Sequence, residues 1–143
     1  NTSKHLILQN RSTGNVGIAT NAPTVKFQVG DNGDGTIARA NAWNTFSDRR
    51  WKTNFEVIPN TLAKLDQING YFYNWKKGND KSRQVGVVAQ EIELVLPQCV
   101  HTDKNGYKSV DYSKLTAFLI QVNKEQQAEI NNLKAEVKAI KIQ

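Results

Sequence analysis

Ser47 and Lys52 are the residues whose types and spacing point most directly to chemistry. They stand five positions apart in "TFSDRRWKTNF", just after a Gly-rich tract. A serine hydroxyl is a weak nucleophile until a base takes its proton. A lysine amine can serve only when neutral, a state favoured by burial or by neighbouring positive charge. Arg49 and Arg50 supply such charge. Asp48 would oppose it by pairing with Lys52, so its expected role is structural. An odd separation puts two residues on opposite faces of a regular strand. A turn or bulge must therefore fold Lys52 back on Ser47, unless the two meet only on assembly or come from different chains. The plain alternative is a surface turn, with Ser47 as a cap and Lys52 in solvent.

Other chemistry finds little support. Cys99 is the only cysteine, and "LPQCVH" suits a small buried side chain. His5 and His101 are isolated, and no metal-ligand spacing is present, so neither metal nor cofactor is expected. "GDNGDG" has the composition of a calcium loop without the spacing or closing glutamate of an EF-hand, and reads as a turn. The net charge of +6 is spread out: four basic and two acidic residues precede Ser47, with fifteen and eleven from there on. Without a basic run or a groove-reading helix, a nucleic-acid partner is not expected. No 18-residue apolar span or signal peptide occurs, so membrane insertion is not expected. The first residue is Asn rather than Met, so the chain reads as a piece of something longer.

The elements around the pair fall into two parts. Up to residue 46, "HLILQ", "NVGIA" and "VKFQV" read as short strands divided by "NRSTG", "TNAPT" and "GDNGDG". Five of the nine glycines lie in this part. In "VKFQV", Val25, Phe27 and Val29 share one face. Strands this short bury little alone, so three chains sharing one core is the natural answer. From Ser47 the composition changes. "VIPNTLAKLDQI" reads as a short helix, with Pro59 in its first turn and Leu62, Leu65 and Ile68 on one side. "YFYNW" and "RQVGVV" read as strands, and "AQEIELVL" as a helix stopped before Pro97. "CVHT" and "YKSV" flank "DKNG", where Asn105 and Gly106 are expected to supply the positive φ angles of a hairpin turn.

Tyr112 to Gln143 contains no Pro or Gly and reads as one long helix. A heptad places Asn123, Ile130 and Val137 at a, and Leu119, Gln126, Leu133 and Ile140 at d. β-branched residues at both positions lean toward three strands, with Asn123 and Gln126 as polar layers that set register. At 38% apolar residues the chain predicts a thin core, or one completed by copies of itself. The alternative for this helix is packing on its own domain.

"SDRRWKTNFEVI", "LAKLDQINGYFYNW", "VGVVAQEIELVLP", "DKNGYKSVDYSKLTAFLI" and the closing helix occur in that order. The order resembles the C-terminal intramolecular chaperone family named from phage endosialidase tail spikes. Related domains end phage tail fibres, neck appendages and some bacterial surface fibres, and one occurs in the myelin regulatory factors. The resemblance covers residues 47–143. It implies an α+β fold: a β-rich trimeric stalk over 1–46, then a mixed α/β chaperone domain over 47–143 with a coiled-coil helix from about 112, intertwined as a homotrimer. It implies a domain that trimerises, helps the upstream fibre to fold, then cuts the chain between Phe46 and Ser47 and leaves. The family pattern Ser-Asp-x-Arg-x-Lys falls on Ser47, Asp48, Arg50 and Lys52, with Ser47 as nucleophile and Lys52 as its base. "GNVGIATNAPTVKFQV" looks like the stalk that often precedes such domains. Ala19 replaces the usual glycine, and Trp51 stands where an aliphatic residue is common.

The location implied is a virion tail fibre or spike, or a bacterial surface fibre whose receptor is a cell-surface glycan or protein. A competing function is a retained trimeric tip that binds a surface ligand, with Tyr71, Phe72, Tyr73, Trp75 and Trp43 as its aromatic face.

Overall fold

The computed structural model describes residues 14–31, 33–77 and 81–141. The expected strand "HLILQ" lies outside them. The chain divides into two compact units. One comprises the described parts of Asn1–Asn41 and Asn74–Ser82, the other those of Ala42–Tyr73 and Arg83–Gln143.

In the first unit, β1 (Val16–Ile18) and β2 (Phe27–Val29) pair in parallel, with Val16 opposite Phe27 and Ile18 opposite Val29. The link between them is held by polar side chains. Asn15 Nδ2 donates to the Pro23 carbonyl at 2.9 Å, and Gln28 Oε1 accepts from the Thr24 amide at 2.9 Å. Asp34 accepts from the amides of Asp31 (2.8 Å) and Thr36 (2.7 Å), which hold its carboxyl below the ordinary range. Among the described residues, the Gly-Asp tract is thus a turn closed on itself. Trp75 does not extend the "YFYNW" strand, which ends at Tyr73; it lies against Gly35 in this unit. Ile18 and Phe27 remain half-exposed, as expected of strands too short to cover themselves.

The second unit is mixed α/β with short strands and a long C-terminal helix. Its order is α1 (Thr61–Leu65), β3 (Tyr71–Tyr73), β4 (Gln84–Gly86), α2 (Ala89–Val95), β5 (Val100–Thr102), β6 (Lys108–Val110) and α3 (Tyr112–Ile140). β3 pairs antiparallel with β4, and β5 with β6. Pro59 falls before α1 rather than in its first turn, because Asn60 at the cap position adopts φ +54°. In the β5–β6 turn only Gly106 is left-handed, at φ +85°. The Gly106 amide donates to the Asp103 carbonyl (3.0 Å) and the Asp103 amide to the Tyr107 carbonyl (2.9 Å). This is a three-residue hairpin with a glycine bulge, which needs one positive φ where a two-residue turn needs two.

The core is thin. Ile92, Leu96 and Cys99 meet Phe118 and Val122 of α3, with Ile58, Leu62, Leu65, Ile68 and Leu115 packed around them. The three-residue spacing of Leu62, Leu65 and Ile68 thus does face the core. α3 starts at Asp111, whose side chain accepts from the Ser113 amide at 3.1 Å. Its first half packs on its own domain through Leu115, Phe118 and Val122. Phe118 is the largest buried side chain among the described residues, at 2% exposure. We expect Phe118→Ala to cost about 3–5 kcal/mol, measured by urea unfolding followed by far-UV circular dichroism. An unchanged midpoint would mean that this core does not hold the fold.

The second half of α3 has no such cover. Ile130, Leu133, Val137 and Ile140 are exposed along it, and Leu119 further up is half-exposed. Phe118 and Leu119 are neighbours in sequence, yet about 100° apart around the helix. One face therefore serves the domain, while the residues of the expected heptad seam lie beside it.

Candidate functional site

Between Ala42 and Val57 the only regular element is a single 3-10 turn, Arg49–Trp51. Asp48 starts it. Its backbone is extended (φ −61°, ψ 136°) and its side chain accepts from the Arg50 amide at 2.8 Å. The Trp51 amide then donates to the Asp48 carbonyl, and the Lys52 amide to the Arg49 carbonyl, both at 3.1 Å. At Lys52 the backbone returns to extended geometry. This tight turn reverses the chain. It brings Lys52 Nζ to 2.7 Å from Ser47 Oγ, with the amine donating. The odd spacing is thus resolved by a turn, and the pair meets within one chain.

The neighbouring charges face elsewhere. The Arg50 guanidinium grips both carboxylate oxygens of Asp48, Nη2 lying 2.7 Å from Oδ2. This bond and the capping amide hold the Asp48 carboxyl below its ordinary range, and the same contact raises Arg50. Arg49 lies over the ring of Phe55, 4.3 Å from its centroid. The expected electrostatic help from both arginines is therefore directed to Asp48 and Phe55. Asp48 has the structural role that its type suggested: it caps the turn and does not pair with Lys52.

Ser47 and Lys52 are both exposed. So are the apolar side chains around them: Phe46 at 93%, Trp51 at 81%, with Trp43, Phe55 and Val57 also open. Downstream, Ile58 is the first residue packed on the core. Thr61 follows, 1% exposed, held from α3 by Glu125. Glu125 Oε2 accepts from the Thr61 amide (2.8 Å), the Thr61 hydroxyl and the Leu62 amide (3.2 Å). These bonds, the hydroxyl first, hold the Glu125 carboxyl below its ordinary range. Sequence reasoning missed this clamp. Thr61 and Glu125 are 64 positions apart, and a glutamate on a long helix rich in charged residues looks like solvated surface.

The aromatic residues named for a binding face have varied surroundings. The Tyr71 hydroxyl donates to Glu91 Oε1 at 2.7 Å. Phe72 is exposed beneath Arg83, whose guanidinium lies 4.1 Å from the ring centroid. Tyr73 is partly covered in the second unit, and Trp75 belongs to the first. Among the described residues, no group of three or more His, Cys, Asp and Glu side chains could hold a metal ion. No described helix is long and apolar enough to cross a membrane.

Residues 47–101 match the family described as chaperone of endosialidase, and the match begins at Ser47. This chain carries an endosialidase-type chaperone domain. The long tail fiber protein Gp37 of Salmonella phage S16 is 36% identical over 107 residues, covering 68% of this chain and 14% of that protein. Gp37 of Enterobacteria phage K3 is 32% identical over 128 residues, covering 83% of this chain and 10% of its own length. Gp37 of Enterobacteria phage M1 is 33% identical over 96 residues, covering 62% of this chain and 38% of that protein. The chain thus spans a small part of these relatives. The chaperone domain places its Ser47–Lys52 contact at the first residues of the family match.

Proposed function

We propose that residues 47–143 form an intramolecular chaperone of a phage tail fibre. Three chains associate through α3, the upstream fibre segment folds against that assembly, and Ser47 then releases the chaperone. The tail-fibre relatives support the setting. The observation that carries the reading is the 2.7 Å contact between Ser47 Oγ and Lys52 Nζ at the start of the matched segment.

The chemistry follows from that contact. In the single chain the amine donates to Oγ at 2.7 Å. Cover by neighbouring chains expels water and favours the neutral amine. The same contact then runs the other way, with the hydroxyl donating to Nζ. Lys52 takes the proton as Oγ attacks the Phe46 carbonyl carbon. The Oγ–C bond forms and the C–N bond breaks. Lys52 passes the proton to the leaving nitrogen, which becomes the α-amine of Ser47. Water then hydrolyses the ester, restoring the hydroxyl and leaving a carboxylate on Phe46. The exposed apolar side chains at Trp43, Phe46, Trp51 and Phe55 are surface that such cover would bury.

Intact mass spectrometry of fresh wild-type protein beside Ser47→Ala tests the proposal. We expect the wild type to yield a fragment beginning at Ser47 while the variant stays at 16.1 kDa. A cut that persists in Ser47→Ala would remove Ser47 as nucleophile. Two uncut trimeric proteins would favour the retained tip, for which exposed Phe72 is the first residue to probe.

A further inference from the structure

We infer that Glu125 is a positioning residue for the Ser47–Lys52 pair, tying the segment that carries the pair to the helix that assembles. The inference rests on the self-cleavage reading above.

Downstream of Lys52, residues 53–57 are exposed and lack regular structure. Asn54 and Asn60 are left-handed, at φ +53° and +54°. The 3-10 turn holds the hydroxyl and the amine together, but residues 53–57 do not by themselves fix where that turn stands relative to the core. Its first fixed points are Ile58, against the core, and Thr61, under Glu125. A cap for α1 would ordinarily come from its own Asn60, but the left-handed backbone there leaves that side chain without a capping bond. A carboxylate from α3 takes its place. It accepts from two successive amides and one hydroxyl, a bond set tied to both position and direction.

The place of Glu125 on α3 gives the clamp its further meaning. Val122, three residues earlier, is buried in the domain core. Gln126 is the next residue and belongs to the proposed seam, and Ile130 begins its exposed apolar run. Glu125 therefore stands where the domain-facing part of α3 gives way to the part left for other chains. When the seam closes, any rotation or shift of α3 acts on Thr61 through this carboxylate, and from Thr61 along nine residues to Lys52. Reactions that depend on such positioning lose rate steeply when the geometry slips by about 1 Å.

The test compares wild type, Glu125→Ala, Glu125→Gln and Thr61→Val as full chains. First-order cleavage is followed by intact mass, and association by light scattering. Amide hydrogen exchange is measured in a Ser47→Ala background, so that no cut interferes. We expect Glu125→Ala to cleave about 10- to 100-fold more slowly while its assembly state and helix content match the wild type. Glu125→Gln keeps an accepting oxygen and should fall between the two. Exchange at the Thr61 and Leu62 amides should quicken in Glu125→Ala, with α2 unchanged. Wild-type cleavage rates in an intact Glu125→Ala assembly would overturn the inference. Loss of assembly in both the Ala and Gln variants would overturn it too, by making Glu125 a residue of stability. If the wild type itself is never cut, the self-cleavage reading fails. Exchange alone then decides the clamp: quickened exchange at Thr61 and Leu62 supports it, and unchanged exchange removes it.

Discussion

Lys52→Ala should lower the rate of cleavage at Phe46–Ser47 by about 10²- to 10⁴-fold, the usual contribution of a positioned general base. Its assembly and unfolding midpoint should stay as in the wild type, because the Lys52 side chain is exposed and its backbone amide bond to Arg49 survives the substitution. Without Lys52 only hydroxide can take the proton, so the residual rate of Lys52→Ala should climb steadily with pH. Lys52→Arg sharpens the test, because a guanidinium can still donate to Oγ but cannot give up its proton. If Lys52→Arg cleaves at the wild-type rate, the role of Lys52 is to orient Ser47, and proton removal must be assigned elsewhere.

How far this could be read beforehand varies along the chain, for physical reasons. The long helix was legible almost to its ends, because a stretch free of Pro and Gly leaves few other choices and Asp111 marks its start. The core-facing side of α1 was legible from Leu62 and Leu65, because periodicity reports burial directly; Ile68 also packs on the core, but the helix ends at Leu65, short of the expected extent. The turn at Asn105-Gly106 was legible in place but not in type: a dipeptide does not fix whether one or two residues go left-handed. At the site, the need for a turn between Ser47 and Lys52 followed from their odd separation, and the 3-10 turn meets it. The pairing of Arg50 with Asp48 did not follow, since three charged neighbours admit several partners. Glu125 and Thr61 lay beyond reach, because a bond across 64 positions depends on how α1 and α3 pack, which no local pattern encodes.

Leu133→Pro tests what assembly adds to a pair already in contact within one chain. Leu133 is 58% exposed and lies outside the core. A proline there removes one backbone hydrogen bond and clashes with the preceding turn, at a cost of about 3 kcal/mol or more to the helix. The break falls eight residues beyond Glu125 and eleven beyond Val122 (the last buried residue of α3), so the domain core and its clamp should stand. We expect a folded, monomeric and uncut precursor, shown by light scattering and intact mass, with helix content reduced only toward the C-terminus. Leu133→Ala keeps the helix and should weaken association less. The reasoning turns on water. In a single chain the Ser47–Lys52 contact is formed but open, flanked by apolar side chains that nothing covers. Geometry is thus available before assembly, and a dry surrounding for the amine is not. If the Leu133→Pro monomer cuts itself at the wild-type rate, the exposed pair is competent in water and cleavage is uncoupled from assembly. If it stays whole while the wild-type trimer cuts, burial by neighbouring chains is the missing ingredient, and the fibre is released only after its three chains have come together.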